Sequence, residues 1–301
     1  MSAEAPRPDT FIVGAPKCGT TAMNDYLGEH PDVFVPADKD VRFFGHDLTM
    51  ISRLTEEQFL ARYADSQGAT RRVDASVYSL LSTTAATEIK QFEPDAFIVA
   101  MLRDPVEMAY AHHAQLRYNG LGEDEDLVDF ADALAAEADR RQGRRIPPKT
   151  RVREALYYRV LADYETQIAR FFDVFGRDRV HVIIFDDFRA DTLGTYQRLL
   201  AFLEVDPSFA PDLSVVNPNT VTRSESLRKL SSWTPAGLKS LVPAGLRKRA
   251  SSKLRALNTR VAKRPPLADD VRLALAAQLR PGVERLSTLL DRELAWCQAE
   301  T

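Results

Sequence analysis

The sequence predicts an α/β protein: a parallel sheet flanked by helices, with a P-loop-like turn after its first strand and a helical C-terminal region. Three observations carry this. Ala96-Phe97-Ile98-Val99-Ala100-Met101-Leu102 and Val180-His181-Val182-Ile183-Ile184-Phe185 are near-continuous apolar runs, the composition of parallel strands covered on both faces. Segments with helical apolar spacing lie between and after them. Thr10 to Thr21 reads as strand, tight turn and helix start.

The chain has 301 residues, enough to bury a sizeable core. Charged residues make up 28% and hydrophobic residues 45%, a soluble globular balance. A net charge of −3 gives no global case for a nucleic-acid partner. No apolar run reaches the ~18 residues of a spanning helix. Residues 1–9 carry Pro6 and Pro8 but no apolar signal core, so export is not expected, and the two cysteines, Cys18 and Cys297, fit a reducing compartment. The expected location is therefore cytoplasmic. One domain is expected over 1–301, with a core at about 10–207 and appended segments at 223–264 and 267–298.

In order, Phe11, Ile12 and Val13 form the first buried strand, Gly14 to Gly19 the turn, and Thr20 and Thr21 open a helix running through Leu27. Pro31 stops that region and Val33 to Val35 form a short strand. Residues 55–64 form a helix capped by Thr55, with Glu56 and Glu57 in its first turn. Arg72 to Tyr78 is strand-like, 83–92 helical, and 96–102 the strongest strand. A helix runs from Pro105 through Leu116. Residues 119–150 carry the acidic run Glu123-Asp124-Glu125-Asp126 and a helix at about 127–142, readable either as a substrate-facing lid or as a solvated excursion. Leu156, Val160, Tyr164, Ile168, Phe171 and Phe175 predict one helix over 153–175, stopped by Gly176. The strand at 180–185 ends at Asp186 and Asp187, a helix follows at 192–204, and two C-terminal helices at 267–279 and 283–298 are split by Pro281 and Gly282.

The turn at 14–19 carries the first chemistry. A strand, a glycine-bounded loop and a helix N-terminus make an anion cradle, because backbone N–H groups and the helix dipole converge on the loop. The nucleotide P-loop reads G-x-x-x-x-G-K-[ST]. Gly14, Gly19 and Thr21 keep that spacing, but Thr20 stands at the lysine position and Lys17 lies inside the loop. Asp186 and Asp187 follow an apolar strand, yet no convincing Mg²⁺ partner is evident, so no metal is expected. The ligand expected is a phosphate-bearing cofactor with Lys17 as a mobile point charge; the alternative is an ordinary strand–turn–helix start. Cys18 is either a reactive thiol in an electropositive loop or a small residue tolerated in a turn. Ligands of doubly wound sheets bind at the carboxyl ends of strands, which places Arg103 to meet the same ligand as Lys17.

From Arg223 to Arg264 there are twelve Lys or Arg and one acid, Glu225, interleaved with Trp233 and spaced leucines. Such a segment can lie on an anionic membrane surface, grip an anionic substrate, or pack its leucines on the main domain.

Four blocks resemble sulfotransferases that use 3′-phosphoadenosine-5′-phosphosulfate (PAPS), in the branch of bacterial, carbohydrate and heparan-type enzymes. Phe11 to Thr21 resembles that family's 5′-phosphosulfate loop. His30-Pro31-Asp32-Val33 followed by Lys39-Asp40-Val41-Arg42-Phe43-Phe44 resembles its Lys-Glu-x-His-Phe-Phe block. Leu102 to His112 resembles its 3′-phosphate block, and Val182 to Phe188 a late strand. The resemblance covers about residues 10–207.

It implies transfer of a sulfuryl group from PAPS to a hydroxyl or amine of a carbohydrate, glycolipid or natural product, leaving 3′-phosphoadenosine-5′-phosphate (PAP). Pro16, Lys17, Cys18, Gly19, Thr20 and Thr21 would hold the 5′ end, and Arg103, Ala111 and Arg223 the 3′-phosphate. Lys17 would act on the leaving group and Asp40 as the base, with His46 the alternative base. Lys39, Arg42, Ser76 and Tyr78 would face the acceptor. The implied partners are a small-molecule, carbohydrate or lipid-linked acceptor, with peripheral membrane contact through 223–264. Three departures stand out: Asp40 replaces the usual Glu, Arg42 the usual His, and Ala111 a serine that commonly contacts the 3′-phosphate. Two other readings stand beside this one: a P-loop kinase or NTPase, and a non-catalytic cofactor-binding homologue.

Overall fold

A computed structural model describes residues 6–49, 53–119, 124–213, 220–222, 259–261 and 265–297. Five strands, β1 (Thr10–Gly14), β2 (Val33–Phe34), β3 (Arg71–Ala75), β4 (Phe97–Leu102) and β5 (Val180–Ile184), form a parallel sheet in the order β2-β3-β1-β4-β5. All of β1 and β4 is buried, as expected, whereas β5 is an edge strand whose His181 and Val182 are only half-buried, so the run at 180–185 is not covered on both faces.

The chain first builds β2 and β3 on one side of β1, then crosses to add β4 and β5 on the other. The turn after β1 therefore lies between the carboxyl ends of β3 and β4, where the winding reverses and open α/β sheets form their ligand crevice. Helices α1 (Thr20–Leu27), α3 (Ala85–Phe92), α4 (Pro105–Asn119), α7 (Tyr164–Phe175) and α9 (Thr192–Phe202) follow strands or pack on them. Helix α2 (Glu56–Leu60) has the expected Thr55 cap, whose hydroxyl accepts from the Gln58 N–H while the Gln58 side chain accepts from the Thr55 N–H.

Several expectations are corrected. The predicted helix 153–175 is broken into a 3₁₀ turn (Arg153–Leu156), a single turn α6 (Tyr158–Leu161) and α7. The break is stabilised by Gln167, whose Nε2 donates to the carbonyls of Val160 and Leu161 at 2.7 and 3.3 Å, satisfying groups a continuous helix would have used internally. Phe185 does not end β5; it opens a short helix, α8 (Phe185–Ala190).

The split at Pro281 is absent. One helix, α10 (Asp269–Leu289), runs through it, and residues 291–297 are not helical. A mid-helix proline costs about 3 kcal/mol. Here Leu275 and Ala276 before it and Val283 and Leu286 after it are all buried, so apolar burial on both sides offsets that cost.

Two acids of the run are not solvated, although Asp126 is exposed. Asp124 and Glu125 are buried, and helix α5 (Phe130–Arg141) returns Arg140 to Glu125 in a bidentate pair at 2.6 and 2.7 Å, with both side chains fully buried. Tyr158 donates its hydroxyl to the same carboxylate at 2.6 Å, and Arg151 pairs with Asp124. Of the basic segment 223–264, only a short strand, β7 (Thr259–Val261), lies among the described residues; it pairs antiparallel with β6 (Thr220–Thr222). Among the described residues, no helix is long and apolar enough to cross a membrane.

Candidate active site

The loop after β1 is shaped by close approach. A Cβ on Gly14 would lie 2.6 Å from Leu80 Cβ and 2.9 Å from the Val77 carbonyl, so the segment after β3 leaves no room for a side chain there. That segment is stitched to β1 by Leu80 N–H donating to the Val13 carbonyl at 2.7 Å, and Ala15 N–H reaches the Met101 carbonyl of β4 at 2.7 Å. The loop is thus clamped to both neighbouring strands. Gly19, the N-cap of α1, has φ +90°, a conformation L side chains rarely adopt, and its Cα faces the ring of Phe185.

Lys17 (φ 64°) directs Nζ to Gln115 Oε1 on α4 at 2.9 Å. Thr20 is buried in the first turn of α1. The Thr21 hydroxyl accepts from Lys39 Nζ at 2.8 Å, and burial holds the Lys39 ammonium below its ordinary pKa. Lys39, expected on the acceptor side, therefore meets the start of α1. Cys18 is fully buried; its Sγ donates to the Pro16 carbonyl at 3.4 Å, and burial pushes its thiol up to about 12. A reactive thiol is thereby corrected: only the main chain of Cys18 can serve the loop.

Arg103 stands at the carboxyl end of β4. Its guanidinium lies 5.0 Å over the Phe185 ring, and Nη2 is 3.5 Å from Glu107 Oε2 one turn along α4. Phe185 therefore occupies the space a Gly19 side chain would need, 3.1 Å from where its Cβ would stand, and carries Arg103 over its face. Ala111 is buried in α4 and offers a methyl group, with no polar atom in its side chain. Arg223 lies outside the described residues.

The loop at 39–42 is laced onto the end of β3. Asp40 N–H donates to the Ala75 carbonyl at 2.7 Å, Asp40 Oδ1 accepts from Val77 N–H at 3.1 Å, and Arg42 N–H donates to Ser76 Oγ at 3.2 Å. Asp40 and Arg42 both have positive φ, 57° and 55°. The Arg42 guanidinium lies 5.4 Å over the Tyr78 ring. Asp40, Arg42, Ser76 and Tyr78 thus form one cluster, joined to the loop because Val77 holds Asp40 with its N–H and faces Gly14 with its carbonyl. The Phe-Phe anchor is also present: Phe43 stacks on Phe59 at 4.3 Å and Phe44 meets Phe11 edge-on at 5.5 Å.

His46 is positioned by a different element. Its Nδ1 is 2.9 Å from Glu88 Oε2, and its N–H donates to Glu88 Oε1, both on α3. Beneath the Asp40 cluster, Asp74 is buried, and desolvation, with the Asp40 charge adding, raises its carboxyl to about 6 against the hydrogen bond from Ser76.

Asp186 and Asp187 are engaged by the C-terminal segment: Arg292 forms a two-pronged pair with Asp187, and Trp296 Nε1 donates to Asp186 Oδ2 at 3.2 Å. Among the described residues, no group of three or more His, Cys, Asp or Glu could hold a metal ion.

Sequence reasoning missed Gln115 and Phe185. Phe185 reads as the last residue of an apolar strand, and nothing in the helical spacing distinguishes Gln115 from a solvated position.

A family model described as the sulfotransferase domain matches residues 7–234. Carbohydrate sulfotransferase 15 of Rattus norvegicus is 23% identical over 286 residues, covering 76% of this chain and 49% of that protein, and the Mus musculus protein matches over the same shares. The chain thus spans about half the length of these curated relatives. Among solved structures, a sulfotransferase from Alicyclobacillus acidocaldarius is 28% identical with a TM-score of 0.69, covering 96% of this chain and 98% of that one.

Proposed function

The chain belongs to the sulfotransferase family, and on that premise we propose that it transfers a sulfuryl group from PAPS to a hydroxyl or amine of a carbohydrate or another small-molecule or lipid-linked acceptor. The observation that carries this reading is the position of the Phe185 ring, which fills the space beside Gly19 and holds Arg103 over its face, so that the loop and a guanidinium at the end of the next strand adjoin. A donor with phosphate groups at both ends of a nucleoside needs two such points.

The residues fit that donor. The loop main chain is glycine where a Cβ would obstruct it, its N–H groups open helix α1, and Lys17 and Lys39 add two positive charges. When bound, the donor supplies an activated sulfuryl group whose transfer leaves negative charge on a phosphate oxygen. Lys17 and the loop N–H groups stabilise that charge. Asp40, fixed by Val77 N–H, accepts the proton of the attacking acceptor group. Arg103 reads the 3′-phosphate as a planar fork, which separates this donor from ATP. Arg42 and Tyr78 border the acceptor side. Asp40 is preferred to His46 as the base because Asp40 is tied to the loop through Val77, whereas His46 is tied to Glu88.

The test is formation of PAP and sulfated product from PAPS over a panel of sugar, lipid-linked and small-molecule acceptors. Acceptor-dependent PAP release is the expected result. No release with any acceptor, together with Mg²⁺-dependent ATP turnover, would overturn the proposal.

A further inference from the structure

Glu107 is held from two sides by arginines from distant parts of the chain. Arg103 Nη2 lies 3.5 Å from Glu107 Oε2, and Arg272 Nη2, in the first turn of α10, lies 3.4 Å from Oε1. Both contacts are long for charge-assisted bonds, which run at about 2.7–2.9 Å. All three side chains are partly open to solvent, so the triad adds little to folding stability. Two guanidiniums share one carboxylate beside the Phe185 platform. Helix α10 is fixed there independently: it packs on α4, and Tyr110 of α4 donates its hydroxyl to the Pro265 carbonyl just before it at 3.1 Å. Asp104, next to Arg103 in the chain, accepts from the N–H groups of Val106 and Glu107 at the start of α4.

We propose that Arg272 is a second guanidinium for the donor's 3′-phosphate, and that Glu107 competes with that phosphate for Arg103 and Arg272. The proposal rests on the sulfotransferase reading above. A phosphate monoester carries close to two negative charges near neutral pH, which one arginine cannot balance. Arg103 and Arg272 together can once the phosphate displaces Glu107 from them, and the Ala111 methyl of α4 supplies no donor of its own. Glu107 holds the two guanidiniums towards a common point, and a dianion outcompetes a single carboxylate there.

The test is calorimetric titration of the full chain with PAP and, in parallel, with adenosine 5′-phosphosulfate, which lacks the 3′-phosphate. Arg272→Gln is expected to weaken PAP binding about tenfold, the size of one lost charge-assisted interaction, and to leave adenosine 5′-phosphosulfate within about twofold. Glu107→Gln is expected to tighten PAP binding several-fold without changing the other ligand. Wild-type PAP affinity in Arg272→Gln, equal weakening of both ligands, or PAP binding weakened in Glu107→Gln would overturn the inference while leaving the sulfotransferase reading in place. A wild-type chain that binds PAP no better than adenosine 5′-phosphosulfate would overturn the reading itself, and the inference with it.

Discussion

Arg103 lies over the face of Phe185, 5.0 Å from guanidinium to ring centroid, and the same ring closes on Gly19 of the β1 loop. In the proposed function the aromatic ring is a spacer: it would set the separation between the helix N-terminus assigned to one anion of the donor and the arginine assigned to the other. Phe185→Ala removes the platform from both. PAP affinity should fall about tenfold, in line with ~0.5–2 kcal/mol for a cation–π contact plus freer Arg103 rotamers, while Phe185→Tyr keeps most of it. Titration of both variants with PAP checks this; equal affinities for Ala and Tyr would remove the spacer role.

Asp40 and His46 make opposite predictions. Asp40 sits with Val77 beside the loop, and His46 with Glu88 on α3. Asp40→Asn should lower kcat by about 10²–10⁴, the usual range for losing a positioned base, with little change in PAP affinity. His46→Ala should cost less than about threefold in kcat, since the ring lies outside the proton-transfer geometry assigned here. Full activity in Asp40→Asn with loss in His46→Ala would reverse the assignment.

The buried Asp74 gives the fold a pH signature. Its carboxyl rises from 3.8 to about 6 because burial disfavours the charged form. The native state therefore holds this proton more tightly than the unfolded chain, and stability falls as pH climbs through that window, by about 2–3 kcal/mol. Asp74→Asn abolishes the ionisation. Its stability relative to wild type should improve by that amount between pH 4 and pH 7.5 in urea unfolding. A difference that stays flat across those pH values would contradict the burial argument.

The Glu125–Arg140 pair holds the segment after α4 against the core, where it borders Tyr158. Arg140→Met leaves an uncompensated buried carboxylate and should cost about 3–5 kcal/mol, whereas Glu125→Leu with Arg140→Met should recover most of it. Denaturant midpoints of the two variants decide the matter; equal losses would mean that the charge pair is not the source.

Much of this was legible in the sequence, and the limits are physical. Residues 97–102 announce a buried parallel strand because a central strand covered on both faces leaves no alternation to confuse it, and 180–184 read the same way although β5 is a half-buried edge strand. Gly14 and Gly19 announce the loop because their spacing is fixed by the turn, and Arg103 follows from strand direction alone. Long-range packing was not legible. Pro281 looks like a helix end locally, but Leu275 and Leu286 bury on either side of it. Tyr157 to Asp163 look helical by spacing, but Gln167 caps a break there. Asp124 and Glu125 look solvated until Arg140 and Arg151 return to them. Gln115 and Phe185 meet the loop from elements distant from it in sequence, so no local pattern marks them.

Lys17 carries the central claim, since it is the cation of the Gly14–Gly19 loop and its Nζ is held 2.9 Å from Gln115 Oε1. The most direct measurement is the rate of sulfuryl transfer from PAPS by Lys17→Ala, alongside its PAP affinity. Loss of about 3–4 kcal/mol of transition-state stabilisation, some 10²–10³-fold in rate, is expected with PAP still bound. Near-normal sulfation by Lys17→Ala would contradict it.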